Sequence, residues 1–292
     1  MSATRPPTSL LPARAAESHK GTYGHALLVG GSVGMTGAIS LAGMAALRGG
    51  AGLVTLAVPA SCWQVVAGLE PSYMTLACPS NPRGRLGRDA YDVIASFSER
   101  ATCMASGPGL GSSADARYVA NRLYASVSLP IVVDADALNA LSQRSGGLRG
   151  PAGPRILTPH PGEFRRLAQS ARLGTDTLPI SQMPELAEEL ARRFGVTIVL
   201  KGHRTLVTDG TRSIRNETGN PGMATGGCGD VLTGLIAALI CQGLPLFDAA
   251  WLGVHLHGLA GDKAASHLGQ VSLTARDLID FLPAAIMEWQ ST

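Results

Sequence analysis

Short apolar runs at residues 26–29, 53–58, 101–105, 131–133, 155–157 and 196–200 alternate with stretches of helical pattern. A strand that is apolar on both faces must be covered on both, and a helix between successive strands returns the chain so that they run parallel. The alternation therefore predicts an α/β fold with a parallel central sheet between helical layers. Residues 205–208 and 213–216, joined through Asp209-Gly210, break that rhythm and read as a β-hairpin. The chain beyond Asp230 is mostly helical in pattern. No composition break, long linker or repeat interrupts the 292 residues. A single domain is thus expected over residues 18–292, after a loose, flexible arm at residues 1–17. Residues 80–88, with Pro, Gly and three Arg, read as an exposed loop.

The chemistry concentrates in residues 216–230, a glycine-rich loop that runs into an apolar helical pattern. Glycines let backbone N–H groups turn toward one point, and the first turn of the next helix adds unpaired donors and roughly half a positive charge. Such a loop suits a phosphate. Asp230 lies at the helix mouth, where the dipole favours its ionised form, so it is expected either to take a proton from a substrate hydroxyl or simply to cap the helix. Cys228 sits where a helix N-terminus lowers a thiol pKa.

Other segments offer chemistry with an ordinary structural alternative beside it. Residues 30–38 follow a strand and open a helix, a place where backbone amides approach a dinucleotide; tight strand–helix packing is the alternative, and without GxGxxG spacing a Rossmann site is not expected. Gly107-Pro108-Gly109-Leu110-Gly111 ends another strand, at the sheet edge where ligands bind or as a plain turn. Asp134 and Asp136 would point the same way from an extended segment, toward a magnesium-bound water network, or one of them would cap a helix. Two prolines hold His160 and Glu163 in a rigid turn at a helix start, where Glu163 could serve as a cap. Lys201-Gly202-His203-Arg204-Thr205 joins a cation to a run of amides that suits phosphates or ribose, or forms an exposed turn. His255 and His257 fall on different helix faces and are assigned to structure.

Composition narrows the partners. The net charge of +3 is small and the basic residues are scattered, so neither a nucleic-acid stripe nor a basic membrane face stands out. A small-molecule partner is expected. Cys62, Cys78, Cys103, Cys228 and Cys241 show neither CxxC nor zinc spacing, which fits reduced thiols. There is no signal-like apolar run near the N-terminus and no membrane-length apolar segment. The expectation is a soluble, cytoplasmic protein.

Gly226-Gly227-Cys228-Gly229-Asp230 before a helix resembles the anion-hole motif of the ribokinase-like superfamily. Lys20-Gly21-Thr22-Tyr23-Gly24-His25, residues 30–38, Val133-Asp134-Ala135-Asp136-Ala137-Leu138-Asn139, Thr158-Pro159-His160-Pro161-Gly162-Glu163 and Lys201-Gly202-His203-Arg204-Thr205 occur in the order found in ADP-dependent NAD(P)H-hydrate dehydratases. The similarity runs from about Ser18 to Leu282. It implies a three-layer α/β/α ribokinase-like fold and a hydro-lyase that returns the S epimer of hydrated NADH or NADPH to NAD(P)H, with ADP as phosphate donor, AMP and phosphate as products, and Mg²⁺ as cofactor. It also implies Asp230 as the catalytic base, with Ala38, Gly109, Gly111, His160 and Asp230 facing the nicotinamide nucleotide. Lys201, Gly202, His203, Arg204 and Thr205, together with Gly226, Gly227, Cys228 and Gly229, would hold the donor nucleotide, Cys228 being there for its small size. In related kinases the acidic region of Glu163 helps hold magnesium. A homotetramer is implied as well. With no room before Lys20 for the epimerase domain often fused to such enzymes, a separate epimerase is expected. The competing readings are a vitamin-precursor kinase of the same superfamily and a non-enzymatic nucleotide sensor.

Overall fold

A computed structural model describes residues 5–175 and 177–291. In chain order the elements are β1 His25–Val29, α1 Thr36–Arg48, β2 Leu53–Pro59, α2 Trp63–Ala67, β3 Met74–Cys78, α3 Ala90–Ser98, β4 Cys103–Ser106, α4 Ala114–Ser126, β5 Ile131–Val133 and α5 Ala135–Ser142. They continue with β6 Arg155–Leu157, α6 Pro161–Ser170, α7 Met183–Phe194, β7 Thr197–Leu200, β8 Leu206–Thr208, β9 Ser213–Arg215, α8 Cys228–Cys241, α9 Leu246–Leu268 and α10 Ala275–Gln290. The strands form one sheet in the order β3-β2-β1-β4-β5-β6-β7-β8-β9. Every pairing from β3 to β7 is parallel, and the β7–β8 and β8–β9 pairings are antiparallel. The expected parallel sheet and hairpin are both present.

Two apolar cores lie on the two faces. Alternate side chains of β1 divide between them: Ala26 and Leu28 join α1, α8, α9 and α10, and Leu27 and Val29 join the layer of α3 to α7. Helix α8 is buried along most of its length, against β1, β4 and β5 below and α1 and α9 beside it. A Cβ on Gly234 would run into the Ala42 carbonyl, so glycine there permits the close α1–α8 crossing.

Three features depart from the sequence reading. Strand β3, at the sheet edge, exposes or half-buries Met74–Ala77 and so lacks the continuous apolar run that marks the central strands. Residues 80–88 are not simply an exposed loop, because Leu86 is fully buried and the Gly84 carbonyl accepts the Val33 amide at 3.0 Å. Arg155, within an apolar run, is fully buried; its guanidinium donates to the carbonyls of Tyr124, Val127, Leu129 and Pro154. Near the N-terminus, Trp289 Nε1 donates to Pro6 O at 2.9 Å and Arg14 donates to Gly50 O at 2.7 Å. No helix among the described residues is long and apolar enough to cross a membrane.

Candidate functional site

Strand order reverses at β1, whose chain neighbour β2 lies on one side while β4 lies on the other. Loops leaving the carboxyl ends of β1 and β4 part at that point and open the crevice where parallel α/β sheets bind ligands. The two loops are tied together: Ser32 Oγ donates to Gly109 O at 2.9 Å and Gly31 N to Pro108 O at 2.8 Å. Gly109 has φ 62°, and a Cβ there would press on Met35 O and on Ala38 Cβ. Ala38, in the first turn of α1, and Gly109 therefore share one wall. Gly111 joins them by donating its amide to Asp136 Oδ2 at 2.8 Å.

The charged centre lies beneath the start of α8. Lys201, at the end of β7, donates to Asp134 Oδ1 at 2.7 Å, and Thr233 Oγ1 of α8 donates to Asp134 Oδ2 at 2.7 Å. A Cβ on Gly229 would stand 3.2 Å from Lys201 Nζ, which places the ammonium directly under the glycine-rich loop. Burial disfavours the charge on Lys201, yet the carboxylates of Asp134, Glu163 and Asp230 outweigh it and hold the pKa above the ordinary value. Segments 201–205 and 226–230 thus converge, although Lys201 turns inward while Gly202, His203 and Arg204 are exposed. Thr205 closes that turn with a bond to Gly202 O at 3.0 Å, and Arg204 pairs with Glu217 at 3.2 Å.

Asp230 corrects the expectation drawn from the helix dipole. Burial, then the negative charge of Asp134, push its pKa up to about 7; Lys201 opposes, and Asp136 and Glu163 add to the rise. Desolvation outweighs the dipole, and the result is a carboxyl poised near neutrality, as a general base requires. Cys228 behaves in the same way: burial pushes its thiol up to about 11, so the lowered value that a helix start can give is absent.

Asp134 and Asp136 do not point the same way. Ala135 takes φ 47°, which ends the extended run, and the two carboxylates turn to Lys201 and Thr233 in one case and to the Gly111 amide in the other. His160 and Glu163 form a reciprocal capping box on α6, with His160 N donating to Glu163 Oε2 at 2.9 Å. Burial pushes Glu163 up to about 7, against the pull of Lys201, and lowers the pKa of His160. Among the described residues no group of three or more His, Cys, Asp or Glu could hold a metal ion. Sequence reasoning missed Thr233, whose partner lies 99 residues away. It also missed the contact of His257 Nε2 with Cys228 O at 2.9 Å.

Residues 26–284 match the family model described as NAD(P)H-hydrate dehydratase. The chain is 49% identical over 278 residues to the bifunctional NAD(P)H-hydrate repair enzyme Nnr of Moorella thermoacetica, covering 94% of this chain and 51% of that protein. It therefore spans about half the length of such bifunctional relatives. It is 39% identical over 263 residues to the ADP-dependent (S)-NAD(P)H-hydrate dehydratase of Neisseria meningitidis serogroup B, covering 88% of this chain and 82% of that one. The ADP/ATP-dependent NAD(P)H-hydrate dehydratase of Bacillus subtilis, co-crystallised with ATP and Mg²⁺, superposes with a TM-score of 0.81 at 31% identity, covering 97% and 95% of the two chains.

Proposed function

The chain belongs to the NAD(P)H-hydrate dehydratase family, and from that premise we propose that it dehydrates the S epimer of hydrated NADH and NADPH with ADP as phosphate donor. The observation that carries this reading is Asp230, raised to about 7 at the mouth of α8 beside the partly buried Lys201. Asp230 takes the proton of the ring C6 hydroxyl as the hydroxyl oxygen attacks the terminal phosphorus of ADP and AMP departs. The amides of residues 226–229 and the Lys201 ammonium receive the charge on the transferring group. Asp134 and Thr233 hold Lys201 in place for that task. The ring nitrogen then expels phosphate, and loss of a ring proton restores the dihydropyridine. Ala38, Gly109, Gly111 and His160 face the nicotinamide nucleotide, and the exposed 202–205 turn takes the AMP portion.

A magnesium ion brought in with the nucleotide would supply positive charge against its phosphate oxygens. The donor set fits an ion that arrives with the nucleotide, because Mg²⁺ keeps water and phosphate ligands and needs only one or two carboxylates. Asp136 would hold it, whereas both oxygens of Asp134 and both of Glu163 are engaged. Preference for ADP over ATP is supported by the name of the Neisseria relative. Assembly as a homotetramer is supported by the exposed apolar side chains Trp63, Val65, Leu69 and Met74 around the β3 edge. The enzyme would work in the cytoplasm, with an epimerase supplying the S form from the R form.

The test gives purified protein hydrated NADH, ADP and Mg²⁺ and follows the NADH absorbance band. Recovery of the band with release of AMP and phosphate is expected. A stable phosphorylated product would instead identify a kinase, and no turnover would leave a nucleotide sensor.

A further inference from the structure

The glycine-rich loop, which joins β9 to α8, is bonded to α9 near both of its ends. At its start, Thr218 Oγ1 donates to His255 O at 2.8 Å, Gly219 N to Asp262 Oδ2 at 2.8 Å and Asn220 Nδ2 to Asp262 Oδ1 at 3.0 Å. At its end, the His257 ring meets the Cys228 carbonyl in the first turn of α8. That carbonyl is an acceptor, so Nε2 carries the proton. Between these tethers the loop lies on glycines: a Cβ on Gly258 would strike Thr218, and one on Gly261 would strike Met223. Asn220 passes the restraint onward by accepting the Gly222 amide at 3.0 Å.

We propose that His257 and Asp262 are positioning residues that fix the phosphate-binding loop on α9, Asp262 at its start and His257 at the turn that presents Gly229 and Asp230. The inference rests on reading this loop as the phosphate cradle. Asp262 is the more telling of the two. An added carboxylate works electrostatically against a bound phosphate, so its contribution must lie in the two bonds that orient the Gly219 amide and the Asn220 side chain. A mere charge and a positioning role therefore predict opposite signs. Removing only the charge should tighten phosphate binding, and removing the bonds should weaken it.

The test compares the parent with Asp262→Asn, and with the exchanged pair Asn220→Asp plus Asp262→Asn. The single change leaves one acceptor oxygen for two donors. The exchanged pair restores every bond: the new amide at 262 still accepts the Gly219 N–H through its oxygen and now donates to the new carboxylate at 220, which still accepts the Gly222 amide. Affinities for ADP and for inorganic phosphate are measured by calorimetry, alongside kcat, the KM for the nicotinamide substrate and Tm. For Asp262→Asn we expect kcat to fall about 10- to 100-fold, as small misplacements of a catalytic group do. Phosphate and ADP should bind more weakly while the nicotinamide KM stays within about twofold. The exchanged pair should recover most of both losses. Unchanged or tighter phosphate binding in Asp262→Asn, or a folded exchanged pair no better than the single variant, overturns the proposal. If Asp262→Asn does not fold, His257→Leu against His257→Gln serves, because the glutamine amide keeps a donor for the Cys228 carbonyl and should rescue affinity. Should the parent fail to regenerate NADH, the dehydratase reading falls, and the ADP and phosphate affinities still judge the cradle.

Discussion

At the level of single residues, Asp230 was legible because glycine spacing and a helix start converge on it, and both signals are local. The Asp134–Lys201–Thr233 cluster was not, since its members lie 67 and 99 residues apart and meet only through the sheet. Local reasoning also misjudged the protonation of Asp230, because the burial that dominates it comes from elements distant in sequence. Asp230→Asn keeps the shape of the side chain and removes the base. Turnover should fall ~10²–10⁴-fold, while ADP affinity holds or rises with one negative charge gone. A variant within a few-fold of the parent would reduce Asp230 to a helix cap. The raised pKa has two further consequences. Only the ionised carboxylate accepts a proton, so kcat/KM should climb with pH through about 7. Glu163→Gln, which removes one of the charges that raise Asp230, should move that limb to lower pH. The folded protein also holds this proton more tightly than the unfolded chain, a contribution fully present below the unfolded carboxyl pKa and lost as pH rises through about 7. The Tm of Asp230→Asn relative to the parent should therefore increase between about pH 5 and about pH 8, and a constant difference would contradict the burial argument.

Among the elements, the central strands were readable from their apolar runs because helices cover both faces, and edge strand β3 escaped because Met74–Ala77 are exposed or half-buried and form no continuous apolar run. Arg155 shows the limit of hydropathy. A charge inside a strand pattern normally argues for the surface, yet here the guanidinium serves carbonyls near the C-terminus of α4 and in the chain leading to β5 and β6. With no carboxylate paired to it among the described residues, burial lowers its pKa to about 10, which still leaves it charged at neutral pH. Arg155→Met keeps the apolar stem and leaves four carbonyls without their donor. Each buried, unsatisfied polar group costs about 1–3 kcal/mol and such terms are not additive, so denaturant titration should show a loss of about 3–5 kcal/mol. The fork matters as much as the charge. Arg155→Lys, with three donors on a flexible stem, should recover only part of the loss, and a fully stable lysine variant would mean the carbonyls find other partners.

Over the whole molecule, the site sits at one end of α8 and the chain terminus is anchored at the other. Asp230 opens that helix, whereas Gln242, just past its end, donates to Gly49 O beside the Gly50 carbonyl held by Arg14. A helix of 14 residues spans ~21 Å, so the Arg14 contact lies well away from the chemistry. The N-terminal segment's composition of prolines and charges suggested an arm because no periodic apolar pattern marks it. Its contacts include Leu10 and Leu11, which pack on the core, the Pro6 carbonyl, which receives the indole N–H of the fully buried Trp289, and Arg5, which donates to Trp289 O at 3.1 Å. Deleting residues 1–12 would exchange that hydrogen bond of the indole for one to water, at about 0.5–1.5 kcal/mol, and uncover apolar surface worth about 1 kcal/mol for each partly buried leucine. For a domain of this size each kcal/mol lowers Tm by roughly 2–4 °C. Calorimetry should therefore find a Tm roughly 5–15 °C lower, with the emission of Trp289 shifted toward that of a solvated indole. Turnover per folded molecule should stay at the parent level, since the described residues of the segment bond to Trp289 and to one another, away from the loops around Asp230. An unchanged Tm would show that residues 1–12 are dispensable to the fold, and a selective fall in turnover would place them in communication with the site.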